Sequence, residues 1–162
     1  MPAPTTQPLT PGVRSMFEHA ANRARNAGVF GEVAIKGTML EAAALASAAP
    51  ASFRLFVEGG KLWVSLVTAD RWLSQSIEAD LVHTGDKLDD LLHEEFVDFG
   101  YSGKPVPFEH FRSEDKLFTF RSVVPVNVAA PSEADKETAA IFLLGYEAGF
   151  RNLGDMEADE EE

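Results

Sequence analysis

The sequence predicts an α+β fold: an antiparallel sheet of about four to five strands packed against helices, closed by a long C-terminal helix. Three observations predict it. The run SFRLFVEGGKLWVSLVT, Ser52 to Thr68, alternates in polarity on both sides of Gly59-Gly60. A second pair of alternating runs, Phe108 to Arg112 and Leu117 to Val126, flanks Ser113-Glu114-Asp115-Lys116. Helical spacing recurs before, between and after these hairpins. No repeat or long linker divides the 162 residues, a length at which one domain buries ~70% of its unfolded surface. The domain is placed at 13–153, between a Pro-rich segment 1–12 and an acidic tail 154–162, both of a composition that stays disordered.

Val13, Met16, Phe17, Ala20, Ala24 and Ala27 trace one face of a first helix, with Thr10 as its cap and Gly28 at the left-handed stop. Val29 to Lys36 suits a short strand. Thr38-Met39-Leu40-Glu41 has the form of a capping box, which predicts an Ala-rich helix to about Ala49, stopped by Pro50.

The hairpin at 52–68 is the firmest element. Two glycines supply the positive φ of a tight type I′ turn, and counting outward sets Glu58 against Lys61, Val57 against Leu62, Phe56 against Trp63 and Leu55 against Val64. Phe53, Leu55, Val57, Leu62, Val64 and Leu66 then share a core face. Arg54, Phe56, Glu58, Lys61, Trp63 and Ser65 share the other.

Residues Asp70 to His83 fit a helix through Leu73, Ile77 and Leu81 and a strand through Leu73, Gln75, Ile77, Ala79 and Leu81; Asp70 as cap, few β-branched residues and Gly85 favour the helix. Asp86 caps a further helix with the stripe Leu88, Leu91, Leu92, Phe96, Phe99, ending at Gly100. In the second hairpin, Phe118, Phe120, Val124 and Val126 share a face, and Pro125 marks an edge or a strand end. Ser132 and Asp135 open the last helix, which runs to about Leu153 and is apolar on two sides. Such a helix needs two partners: either a subunit interface, with Gly145 and Gly149 allowing close approach, or cover from its own chain on both sides.

The chain carries a net charge of −12, with six acids among its last eight residues; the rest stands at −6. An acidic body without a Lys/Arg stripe argues against nucleic acid as a partner. The chain has no cysteine, which excludes disulfides, a thiolate nucleophile and Cys-ligated zinc or iron–sulfur centres. With neither a signal-like start nor a membrane-length apolar run, the expectation is a cytoplasmic protein with no membrane contact.

Phosphate loops, dinucleotide fingerprints and nucleophile elbows are missing from the sequence, and no cofactor is expected. The densest ionisable cluster, His83 to Glu95, offers His83, Asp89 and His93 as metal ligands or acid–base groups of a metal- or small-molecule-dependent enzyme; the other reading is the solvated back of an amphipathic helix. His19 and His110 read as structural or surface residues, since neither has a triad-like neighbour. Phe56 and Trp63 are second-layer core if a helix covers their face, and a partner-binding patch oriented by Arg54 and Lys61 if none does. Tyr146 and Phe150 on the last helix complete the candidate partner-binding set.

From Ser52 onward the order of elements, carried by FRLFVEGGKLWVSLV, KLFTFRSVVPV and DKETAAIFLLGYEAGF, resembles the small α+β domain of type III secretion chaperones and YbjN-like bacterial proteins over about 52–153. The resemblance implies an acidic, often dimeric, non-enzymatic protein of the bacterial cytoplasm that binds or modulates another protein, in chaperone-like or regulatory fashion. The strand and Ala-rich helix at 29–49 depart from that pattern, as does a helix at 70–83.

Overall fold

A computed structural model describes residues 10–44, 51–68, 88–104, 106, 108–112 and 118–151. Along the chain run helix α1 (Pro11–Ala27), strands β1 (Phe30–Lys36), β2 (Met39–Ala44), β3 (Ser52–Glu58) and β4 (Lys61–Thr68), helix α2 (Leu88–Asp98), strands β5 (Phe108–Arg112) and β6 (Phe118–Val124), and helix α3 (Glu133–Arg151). The strands form one antiparallel sheet of six in the order β1-β2-β3-β4-β6-β5. The α+β architecture with a long C-terminal helix is as the sequence predicts.

The sixth strand is β2, which the sequence assigned to a helix. Gly37, at φ 64, places Thr38 in a two-residue turn, so the Thr38 side chain is not at a helix entry. Glu41 serves the sheet instead, taking Lys36 at 3.1 Å and Arg54 at 2.9 Å on the two flanking strands. Leu40 and Ala42 point into the core, and the ladder to β3 overrides the helix propensity of the alanines.

Elsewhere the local signals act as expected. The Thr10 hydroxyl accepts from Val13 N at 3.1 Å, though α1 opens at Pro11 rather than Val13, and Gly28 ends it at φ 71. Gly59 and Gly60, at φ 63 and 76, make the turn that sets the β3–β4 register, Glu58↔Lys61 through Phe56↔Trp63 to Ser52↔Val67. Ser132 and Asp135 cap α3 reciprocally, each backbone N–H donating to the other's side chain at 3.0 Å. Strand β6 ends one residue before Pro125. The proposed cap Asp86, the segment 70–83 and the acidic tail lie outside the described residues.

Helices α1 and α3 pack together over one face of the sheet, and α2 packs on α3. The core lies between, formed by Met16, Phe17, Leu40, Leu55, Leu62, Val64, Phe120 and Phe142 among others. Helix α3 has cover on both sides from its own chain. A Cβ at Gly145 would lie 2.2 Å from Phe96 Cδ1, and one at Gly149 would lie 2.8 Å from Leu92 Cδ2, so the two glycines admit α2 rather than a second subunit. Phe96 stacks on Phe142 with centroids 3.9 Å apart, and Tyr146, fully buried, shares a 2.6 Å hydrogen bond with Ser122 on β6.

Candidate functional site: the outward face of the sheet

With α1 and α3 on one side, strand alternation directs every second residue of the sheet to the other side. The ladder aligns these residues in rows across the strands. One row is Lys36, Met39, Phe56, Trp63 and Val123. Its apolar part, Met39 to Val123, crosses four strands, about 14 Å at the usual ~4.8 Å spacing. The next row is Glu41, Arg54, Ser65, Arg121 and Glu109, a charged border in which two arginines flank a buried serine and each has a glutamate outside it.

Trp63 is only 9% exposed, yet it stands apart from the helix-side core. Its shield is Arg121, whose guanidinium carbon lies 3.8 Å from the indole centroid. That geometry draws the cation to the negative face of the ring. The indole N–H donates to the Glu58 carbonyl at 3.2 Å, which ties the ring back to its own hairpin. Arg121 is held in turn by Glu58 at 2.6 Å and Glu109 at 3.0 Å. Burial alone would make the guanidinium easier to deprotonate, but the bonds from Glu58 and Glu109 outweigh it and raise the pKa. At Glu41 burial likewise acts against the charge, and the bonds from Lys36 and Arg54 overcome it, holding the carboxyl below its usual range. Arg121 therefore stays a cation and Glu41 a carboxylate through the physiological range.

Of the sequence-predicted partner residues, Arg54, Phe56, Lys61 and Trp63 share this outward face. Phe56 and Arg54 are half-buried and Lys61 is exposed. The Phe56–Trp63 pair is covered by none of the three described helices, and Arg121 lies over the Trp63 ring; farther along the same face Ser65, Val67 and Thr119 are buried as well. Tyr146 and Phe150 belong elsewhere: both are buried on α3, with Phe150 against Phe120, so they form part of the core and not of a partner surface. A helix apolar on two sides shows its sandwiching, but not whether the cover comes from its own chain.

The metal-ligand set is not assembled among the described residues. Asp89 and His93 lie on α2, His83 lies outside the described residues, and no three His, Asp or Glu side chains among those described gather to hold an ion. His93 is half-buried edge-on to Tyr101, with centroids 6.0 Å apart. His19 is a structural residue: it meets Glu137 on α3 at 2.8 Å, and Arg23 binds the same carboxylate.

Sequence reasoning missed Arg121, Glu109 and Met39. Arg121 was legible as lying on the opposite side of β6 from Phe120 and Val124, but its place over Trp63 depends on the β4–β6 ladder, which joins residues 50 to 62 positions apart. Met39 was assigned to a helix.

Comparison with protein-family models, curated proteins and solved structures finds no match. The outward face therefore carries the functional reading on its own chemistry. Among the described residues no helix is long and apolar enough to cross a membrane.

Proposed function

We propose that this chain is a non-enzymatic protein-binding module of the bacterial cytoplasm, chaperone-like or regulatory in action, and that it binds its partner on the outward face of the sheet. The observation that carries this reading is the row Met39–Phe56–Trp63–Val123, an apolar stripe on the side opposite α1 and α3, bordered by charged residues. Met39, Phe56 and Val123 are half-buried, so each still offers apolar surface. An interface with an apolar centre and a charged rim has this composition, with aromatic and Arg residues supplying most of the affinity. The resemblance of 52–153 to secretion chaperones and YbjN-like proteins points the same way.

Exposed Lys61, with Arg54 beyond its bond to Glu41, orients a carboxylate-bearing segment while Met39, Phe56 and Val123 receive its apolar side chains. The test is isothermal titration of a partner captured from the native cytosol against the wild type and Phe56→Ser. The reading predicts at least a tenfold loss of affinity at unchanged folded stability; equal affinity would remove the stripe from the interface.

A further inference from the structure

Among the described residues strand β1 is an edge of the sheet, and an edge presents N–H and C=O groups on which another chain can build a ladder. The turn determines which groups these are. Gly37-Thr38 is a two-residue hairpin loop, so Lys36 and Met39 form the hydrogen-bonded pair that closes it, and bonded and non-bonded pairs alternate from there. Ala34 therefore directs its backbone groups to Glu41. Val33 and Ile35, opposite Ala42 and Leu40, direct theirs to the open edge. Arg25, in the last turn of α1, reaches that edge: its Nη2 donates to the Val33 carbonyl at 2.8 Å.

We infer that β1 is a strand-pairing edge for a second copy of this chain, and that Arg25 holds it shut. The strand is self-complementary about Ala34. With a two-fold axis there, Val33 of one copy pairs with Ile35 of the other, and their outward N–H and C=O groups exchange bonds. The regular register covers Val33 to Lys36 and ends at the β-bulge between Phe30 and Val33, with exposed Glu32 and Lys36 at the two ends of the pairing segment. Val33 and Ile35 both face the helix side, so pairing would continue the apolar face from one copy to the next. Arg25 occupies one of the carbonyls each copy would have to offer. A charged donor on that oxygen competes directly with the incoming N–H.

The chain lacks cysteine, so a single introduced thiol reports only on its own position. At the two-fold axis the paired Ala34 Cα atoms would lie about 4.5 Å apart, at the short end of the disulfide range. Ala34→Cys is oxidised mildly in the wild-type and Arg25→Ala backgrounds at equal concentration, and sedimentation is measured on Arg25→Ala alone. The expected result is at least a tenfold rise in disulfide-linked dimer and about a tenfold lower dissociation constant when Arg25 is removed, the equivalent of about 1.4 kcal/mol. Arg25→Gln, too short to reach the carbonyl and equally suited to a helix, behaves the same way. Ile35→Pro, which removes an outward N–H without breaking a β1–β2 bond, returns the Arg25→Ala protein to the wild-type state. Equal cross-linking in the two backgrounds, unchanged sedimentation, or association that Ile35→Pro does not reverse, aggregation of unfolded chain included, would overturn the inference.

Discussion

The guanidinium of Arg121 lies 3.8 Å above the Trp63 ring, on the face of the sheet opposite the helices, and two glutamates hold it there. The contact joins strands paired across the chain, β4 and β6, and covers an aromatic ring that no described helix reaches. Replacing Arg121 by Ala removes the cation–π contact and both ion pairs, and takes from Glu58 and Glu109 the cation they share. The expected destabilisation is about 1–2 kcal/mol. Urea unfolding measures it, and Trp63 fluorescence in a Trp72→Phe background shifts to the red as the ring meets water. An unchanged emission maximum would show that Arg121 does not shield the ring.

Tyr146 and Ser122 form a buried pair at 2.6 Å. Burial pushes the phenol pKa up, so the hydroxyl stays neutral and the bond is insensitive to ordinary pH. Tyr146→Phe strands the Ser122 hydroxyl in the core and should cost about 1–3 kcal/mol, whereas adding Ser122→Ala should recover part of that loss. A double-mutant cycle by denaturant unfolding checks the coupling.

Gly145 faces the Phe96 ring, with room for no side chain between them. In an isolated helix Gly→Ala would be stabilising by roughly 1 kcal/mol. Here the added methyl collides with Phe96, and Gly145→Ala should be destabilising by about 1–3 kcal/mol through overpacking. Phe96→Leu in the same chain should relieve part of the loss. Thermal melts of the three variants distinguish this intramolecular contact from a subunit interface, because the melting point should not depend on protein concentration.

Two carboxylates link stability to pH. At Glu137 burial favours the neutral acid, but bonds from Arg23 and His19 outweigh it and lower the pKa below 4.5; Glu41 is lowered in the same way by Lys36 and Arg54. The unfolded chain therefore binds protons at higher pH than the folded chain does. Stability from these groups is fully present above the unfolded value and is lost as pH falls through the depressed folded values. Urea midpoints measured from pH 7 down to about pH 3 should fall less steeply in Glu41→Gln and Glu137→Gln than in the wild type.

The sequence revealed what short-range geometry controls. Gly59-Gly60 determined a turn, the turn determined a register, and the register put Phe56 beside Trp63 on the correct face. Thr10, Gly28 and the Ser132–Asp135 pair act where local backbone chemistry places them. Strand β2 was not legible, because Thr38 and Glu41 have capping-box spacing and the alanines favour a helix; only the demand of β1 and β3 for a neighbour makes the segment extended. The Arg121 shield and the outer Glu109 depend on long-range pairing that no local pattern encodes. Tyr146 and Phe150 were recognised as apolar, but their burial depends on α2 and β6 arriving from elsewhere in the chain.

The most direct test of partner binding on the outward face is a parallel capture experiment with quantitative mass spectrometry. Tagged wild type, a Phe56→Ser/Lys61→Glu variant and a Val97→Ser/Phe99→Ser variant are exposed to the same native cytosol, the last changing exposed apolar residues on the helix side. Binding on the outward face predicts one stoichiometric protein partner, retained by the wild type and the helix-side variant and lost from the sheet-face variant at equal thermal stability. A partner retained equally by the sheet-face variant, or lost only from the helix-side variant, would contradict it.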